Sequence, residues 1–148
     1  MDLSERFEVR RSRDDAVELL CCDDALLELM TSPDGKSATE IVEREGDRRT
    51  TRTRYSALGR EGVATFHFTF LMDGNLRFEK RCDGKVWRKL EGHVEVEEID
   101  DSNCEVEIRL SGRTKALVPE LAIKAPLKEQ MRNMAAAIRD RLATEPRG

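Results

Sequence analysis

The side chains best suited to chemistry in this sequence are its two histidines and four cysteines. His67 and His93 belong to different predicted strands and lack the spacing of a metal or catalytic pair. No Ser-His-Asp set and no glycine-rich phosphate loop is present, so the sequence identifies no catalytic residues, no metal and no cofactor. Without a Cys-x-x-Cys spacing, the cysteines are expected to be buried thiols: they are Cys21, Cys22, Cys82 and Cys104.

The stretch Val63–Arg81 alternates apolar and polar residues on both sides of an Asp-Gly turn. Alternation places successive side chains on opposite faces of a strand. His67 therefore shares an outer face with its threonine neighbours and is expected to be solvated. The opposite, inner face is rich in phenylalanine, and it carries Phe66, Phe68, Phe70 and Phe78.

The turn of this hairpin determines which residues lie opposite one another. A three-residue loop over Asp73–Asn75 places Met72 opposite Leu76 and Phe70 opposite Phe78. A two-residue loop would mix polar and apolar faces, because a slip of one residue moves every side chain to the other face. The three-residue loop is therefore the predicted turn.

The same kind of loop at the next Asp-Gly pair places Lys80 opposite Arg88 and Phe78 opposite Leu90. Two opposed cations are unfavourable on one face of a sheet. Lys80 and Arg88 therefore either reach solvent at the edge of the sheet or hold an anion. This register leaves Trp87 on the outer face unless a bulge turns it inward.

The elements that must position these residues can be read from the rest of the chain. A strand over residues 3–11 precedes a short helix that begins at Ser12, where Ser12 and Asp15 resemble a capping box. A second short helix with Asp23 or Asp24 as its cap ends at the Ser32–Gly35 turn signal. Residues 38–115 contain six alternating runs separated by turn signals, which predicts an antiparallel meander.

The C-terminal segment has helical spacing instead. Pro119 suits the first turn of a helix, whereas Pro126 falls inside the pattern and should kink or delay it. The apolar residues of this predicted helix form one stripe: Ile123, Leu127, Met131, Met134, Ile138 and Leu142.

Composition limits the class of protein. A chain of 148 residues suits one domain over 1–148. With 38% charged residues, 39% hydrophobic residues and a net charge of −4, it is expected to be globular and well solvated and to bind no nucleic acid. No run approaches the roughly 18 apolar residues of a membrane helix, and the N-terminal segment has no apolar export signal. A cytoplasmic protein without stable membrane insertion is expected.

The predicted order of elements resembles the helix-grip fold of the START, polyketide-cyclase and birch-pollen-allergen superfamily, often called SRPBCC. The resemblance covers Phe7 to Leu142 and includes the opening FEVRRSRDDAVELL, in which a strand leads into a helix that begins at a serine. It implies an α+β fold, with a curved, seven-stranded antiparallel sheet wrapped around a long C-terminal helix. The iron site of some members needs two histidines and a carboxylate, and here both histidines face outward.

Members of this superfamily bind lipids, sterols, polyketides or quinones in a cavity between the sheet and the long helix. The resemblance implies that this chain binds or carries a small hydrophobic molecule. Two alternatives remain open: a cyclase or aromatase-like enzyme, and a protein-interaction module with a collapsed cavity, which includes a homodimer. A void on the order of 300 Å³ or more is needed for a ligand.

The predicted pocket combines the inner face of the sheet with the stripe of the long helix. Its phenylalanines either line a cavity or close into a solid core. Tyr55 together with Thr51 and Thr53 would add a polar strip able to hold a hydroxyl or carbonyl group, a hypothesis that fails if Tyr55 points to bulk solvent. The predicted pocket residues are Tyr55, Phe66, Phe68, Phe70, Phe78, Lys80, Arg88, Leu90, Met131, Met134 and Ile138.

Overall fold

The computed structural model describes residues 1–31, 37–57, 60–82 and 84–143. The elements follow the predicted order of one strand, two helices, six strands and a helix. The Ser32–Gly35 signal that is predicted to end the second helix lies outside the described residues. The elements are β1 Asp2–Val9, α1 Arg13–Leu20, α2 Asp23–Met30, β2 Ser37–Glu45, β3 Arg48–Ala57, β4 Arg60–Phe70, β5 Leu76–Lys80, β6 Trp87–Asp100, β7 Asn103–Thr114 and α3 Glu120–Leu142.

The seven strands form a single antiparallel sheet in the order β1-β7-β6-β5-β4-β3-β2. The six consecutive strands pair as a meander, and β1 closes the far side against β7. The sheet is curved, and α3 lies on its inner face. The predicted α+β architecture is confirmed.

The two short helices have different N-terminal caps. The Ser12 hydroxyl accepts a hydrogen bond from the Asp15 backbone at 3.2 Å, which satisfies one of the free N–H groups of α1 as predicted. Helix α2 begins after Cys22, whose side chain makes no capping hydrogen bond. The prediction of an aspartate cap is wrong, because Asp23 and Asp24 lie in the first turn of the helix. Their negative charges interact favourably there with the positive end of the helix dipole.

Helix α3 runs through Pro126 without a break. The residues before Pro126 are exposed, apart from the half-buried Ile123, and the buried stripe begins only at Leu127. Because Pro126 has no N–H to donate to the preceding turn, the helix is weakest at the point where its packing begins. The closest neighbours of α3 are β1, β7, α1 and α2. None of the described helices is long and apolar enough to cross a bilayer.

The β4–β5 hairpin differs from the predicted register by two residues. Phe68 lies opposite Phe78 and Phe70 lies opposite Leu76, because the turn between the strands is longer than three residues. A shift of two keeps every side chain on its predicted face, so the aromatic face is intact. Met72, predicted opposite Leu76, lies in the turn and is fully exposed.

The β5–β6 pairing is also shifted by two, so that Phe78 lies opposite Gly92 and not opposite Leu90. Lys80 and Arg88 are therefore not opposed, and the predicted pair of cations does not form. A bulge between residues 87 and 89 interrupts the β6–β7 register. It leaves Arg88 exposed and packs Trp87 against the core, which is the alternative placement that the sequence left open.

We call one end of the molecule the rim. There β3, β5 and β7 end, β2, β4 and β6 begin, and α3 starts. The rim comprises the described parts of residues 54–63, 80–89 and 113–128. The opposite end carries the β2–β3, β4–β5 and β6–β7 turns.

Candidate ligand-binding site

Three phenylalanine rings form the centre of the inner face. The ring centroids of Phe68 and Phe78 lie 5.2 Å apart, and Phe66 lies 6.4 Å from each. All three side chains are buried. A Cβ on Gly92 would come within 2.2 Å of the Phe78 ring, so the ring lies flat over this glycine. Glycine at position 92 lets the aromatic layer sit close to the backbone of β6.

The other apolar residues of the predicted pocket belong to the same buried cluster. Leu90 comes from β6, and Met131, Met134 and Ile138 come from the stripe of α3. Phe70 packs against the edge of this cluster, with the Arg49 guanidinium 5.5 Å from its ring centroid. The apolar residues of the predicted pocket therefore belong to one buried cluster, whereas α3 itself lies closest to β1, β7 and the two short helices.

A small apolar cavity of about 20 Å³ remains at the end of the interior away from the rim. A volume of this size accommodates about one water molecule, far less than the several hundred Å³ of a ligand site. In this conformation the phenylalanines act as core. The cavity is lined by Leu20, Cys21, Ala25, Leu26, Leu29, Gly74, Leu76, Val94, Val96 and Ile138.

A strip of threonines on β2 and β3 is the polar part of the inner face. Thr39 and Thr53 share a hydrogen bond of 2.8 Å between their hydroxyls, and Thr39 lies 3.3 Å from the Met30 carbonyl. Thr51 is 0% exposed, and its Oγ1 has no hydrogen-bond partner among the described residues. Because Thr51 pairs with Phe66, this unsatisfied hydroxyl adjoins the aromatic layer.

The polar residues of the predicted pocket lie at the rim. Tyr55 is 43% exposed, and its ring covers Gly62 on the neighbouring strand. Tyr55 and Gly62 also line an open groove of about 670 Å³. Lys80 is half-buried at the end of β5, and its Nζ donates to the Arg81 carbonyl at 3.3 Å. With Arg88 exposed, the structure brings no pair of cations into the interior.

Both histidines lie on the outer face of the sheet. His67 is exposed, and its Nδ1 lies 3.2 Å from the Thr50 hydroxyl. His93 is half-buried in a row that pairs with Arg77 and Arg109 on either side. No group of three or more His, Cys, Asp or Glu side chains in the described part of the chain is arranged to hold a metal ion.

The four cysteines are unpaired. Cys104 is buried in the core, and burial raises the pKa of its thiol. Burial likewise raises the pKa of Cys21, next to the small cavity. The Arg141 guanidinium lies 3.0 Å from the Cys22 sulfur and 2.8 Å from a Glu28 carboxylate oxygen, which ties α3 to the two short helices.

Two features of the site were not predicted from the sequence. Gly92 interrupts the apolar series of β6, and an inner-face glycine opposite a phenylalanine is the signal that a ring lies over it. The missing partner of Thr51 could not be predicted, because it depends on which neighbouring threonines pair with each other. Alternation does place Thr51 on the correct face.

The chain matches no protein-family model and no curated protein at the level of sequence. Solved structures do match it along nearly its whole length. The aromatase/cyclase Zhui from Streptomyces sp. R1128 superposes with a TM-score of 0.78 at 13% identity, covering 96% of this chain and 93% of that chain. A START superfamily protein from Mycobacterium smegmatis gives a TM-score of 0.71 at 18% identity, covering 95% and 96%. The fold is the START-like helix-grip fold.

A third solved structure shares this START-like fold. Ara h 8.0201 superposes with a TM-score of 0.66 at 12% identity, covering 98% of this chain and 99% of that chain. At identities this low, the shared feature is the fold, with its sheet wrapped around a long C-terminal helix. The fold alone does not determine the function, which depends on the residues of this chain.

Proposed function

We propose that this START-like protein binds a small, mainly apolar molecule with one hydrogen-bonding group, between the inner face of the sheet and α3. The observation that carries the proposal is the buried Thr51 hydroxyl, which has no partner among the described residues. Leaving such a group unsatisfied costs roughly 1–3 kcal/mol, and native proteins seldom retain one without a role. A ligand hydroxyl or carbonyl beside Thr51 would satisfy it.

The surroundings of Thr51 define the rest of the ligand. Thr53 and Thr39 already hydrogen-bond to each other, and the residues paired with Thr51 are the aromatic Phe66 on β4 and the aliphatic Ile41 on β2. One free polar group beside an aromatic surface fits an apolar, ring-containing or long-chain molecule with a single hydroxyl or carbonyl. A set of convergent polar groups, as a cyclase-type reaction needs, is not assembled around Thr51 among the described residues.

Binding requires the packed interior to open, and α3 has the features for this. The segment before Pro126 contributes no buried residue, and the proline weakens the helix at the boundary of the packed stripe. Met131 and Met134 lie just beyond it, and their flexible side chains can adapt to a ligand's shape. Movement of the first turns of α3 would open the interior at the rim.

A second candidate is a protein-interaction module whose interior never opens. The packed phenylalanine layer and the cavity of only about 20 Å³ favour it. The two candidates differ in one measurable property, because an interaction module needs no interior ligand and a binding protein does.

The test is calorimetric titration with naphthol and naphthalene, which differ by one hydroxyl group. We expect the wild-type protein to bind naphthol about 2–10-fold more tightly, the usual contribution of one hydrogen bond. Thr51→Val, which keeps the shape of the side chain, should remove this preference and leave naphthalene binding unchanged. If neither compound binds, the interaction module is favoured. If both bind equally to both proteins, Thr51 is not the polar anchor.

A further inference from the structure

Positive charge is concentrated in two segments of this protein, although the net charge of the chain is negative. Segments 80–89 and 113–128 contain nine lysines and arginines against two acidic residues, a net charge of +7. Since the whole chain carries −4, the remaining residues carry −11. Both basic segments lie at the rim, so this end of the molecule carries a concentrated positive charge.

The two segments form one surface. The loop after β7 is joined to the loop before β6 by a hydrogen bond from the Lys115 backbone to the Val86 carbonyl at 2.9 Å. The Lys115 ammonium reaches the Gly84 carbonyl at 2.5 Å. These contacts hold the loop before β6 and the loop after β7 together at the rim.

The same surface exposes large apolar side chains. Leu117 is 97% exposed and Leu121 is 83% exposed. The backbone holds Leu117 in this position, because Val118 donates to the Lys115 carbonyl at 2.9 Å and Thr114 donates to the Val118 carbonyl at 2.8 Å. Two fully exposed leucines four residues apart on an ordered turn and a helix start have no folding role, and exposed apolar groups of this kind mark interaction sites.

The basic side chains around these leucines are available to bind anions. Five of them take part in no ion pair or side-chain hydrogen bond with the described residues. Lys124 and Lys128 follow Leu121 at helical spacing and therefore share its side of α3. The five are Lys85, Arg88, Arg113, Lys124 and Lys128.

We propose that the rim docks onto an anionic phospholipid bilayer surface, with Leu117 and Leu121 entering the boundary between headgroups and acyl chains. Exposed leucines ringed by lysine and arginine match the two parts of such a surface, whose headgroups are negative and whose interior is apolar. A nucleic acid would engage the cations but offers nothing for the aliphatic side chains. This docking is peripheral and needs no membrane-spanning segment, and it does not depend on the interior ligand proposed above.

Sedimentation with sucrose-loaded vesicles tests the proposal directly. We expect the wild-type protein to bind vesicles of phosphatidylcholine with phosphatidylserine and to leave pure phosphatidylcholine vesicles in the supernatant. Added salt should weaken the binding, because it screens the attraction between the cations and the anionic headgroups. Each cation near a charged surface contributes about fivefold in affinity. Lys124→Glu with Lys128→Glu should therefore reduce binding by well over tenfold.

The apolar contribution is tested with a matched pair of double variants. Leu117→Ser with Leu121→Ser should reduce binding to the anionic vesicles at least tenfold. Met72→Ser with Ile99→Ser, which changes two exposed apolar residues at the opposite end, should leave binding unchanged. All four positions are exposed, so the variants should unfold at the wild-type temperature, which circular dichroism verifies.

Two results would overturn the proposal. One is the absence of binding to anionic vesicles at low salt. The other is binding that depends on the lysines but is unaffected by the leucine substitutions, which would identify a general polyanion surface suited to an acidic protein or a nucleic acid.

Discussion

Thr51 lies directly opposite Phe66 in the pairing of β3 and β4, so a buried hydroxyl without a partner among the described residues adjoins the aromatic layer. Two residues further along β3, Thr53 occupies the same face and has its partner in Thr39. On β3, the polar strip therefore contains one threonine hydroxyl with a partner and, among the described residues, one without. One threonine completes the hydrogen bonding of the fold, and the proposed ligand would satisfy the other.

Thr51→Val should therefore stabilise the ligand-free protein by about 1 kcal/mol, since it removes an unsatisfied hydroxyl and keeps the side-chain volume. Urea unfolding monitored by circular dichroism measures the change. Thr53→Val is the matched control and should destabilise the protein by about 1 kcal/mol, because it breaks the bond to Thr39. Equal destabilisation by both substitutions would mean that the Thr51 hydroxyl is already satisfied.

Gly92 should tolerate no larger side chain while Phe78 keeps its position. Its Cβ would come within 2.2 Å of the ring, so Gly92→Ala should destabilise the protein by about 1–3 kcal/mol through overpacking. Gly84→Ala is the control, because nothing lies within 4 Å of its Cβ position, and it should be nearly neutral. A neutral Gly92→Ala would show that the aromatic layer repacks easily.

The two halves of α3 should differ in hydrogen exchange. Amides of residues 121–125 should exchange much faster than those of 131–138, because only the second half is packed and Pro126 interrupts the ladder between them. Pro126→Ala restores an N–H donor and should stabilise the helix by about 1–3 kcal/mol. If the first turns of α3 gate the interior, this variant should also bind naphthol more slowly. Equal protection in both halves would argue against a weak point at Pro126.

Asp23 should make stability depend on acid pH. Hydrogen bonds from Arg44 and Arg49 lower its pKa in the folded protein. Its stabilising contribution is therefore present above the ordinary aspartate pKa of about 4 and is lost as the pH falls through the lower folded value. Asp23→Asn should cost roughly 1 kcal/mol at neutral pH, and the difference from wild type should shrink on acidification.

Asp24 provides the control for Asp23. It lies beside Asp23 in the first turn of α2 but is exposed. Asp24→Asn should change the urea midpoint less than Asp23→Asn at neutral pH, and its difference from wild type should vary less with pH. The same acid dependence in both variants would show that the bonds to Arg44 and Arg49 contribute nothing specific.

Alternation predicted the faces of the sheet well but not its register. Phe66, Phe68 and Phe78 lie on the predicted inner face, and His67 lies on the outer one. Their partners differ by two residues because the length of a turn is not determined by its Asp-Gly signal alone. A shift of two residues does not change which side chains are buried. For this reason the sequence predicts the buried face, but not which residues lie opposite one another on neighbouring strands.

The polar part of the site was harder to predict. Strict alternation places Arg88 on the inner face, whereas the bulge beside it turns Trp87 to that side of the strand. A bulge depends on packing between strands, here on Trp87 reaching across to Gly112, and a local pattern does not encode it. Whether the aromatic rings leave a cavity likewise depends on how the rings are tilted. Gly92 leaves room for the Phe78 ring, and the alternation of apolar and polar residues contains no information on ring orientation.

Binding of an apolar molecule in the interior can be followed through the methyl signals of the methionines in a protein labelled with carbon-13. Met131 and Met134 lie buried on α3 facing the sheet, whereas Met72 is fully exposed in the β4–β5 turn and serves as an internal control. On titration with naphthol, we expect saturable shifts of the Met131 and Met134 signals and none at Met72. Unchanged Met131 and Met134 signals at saturating naphthol, or a shift confined to Met72, would contradict it.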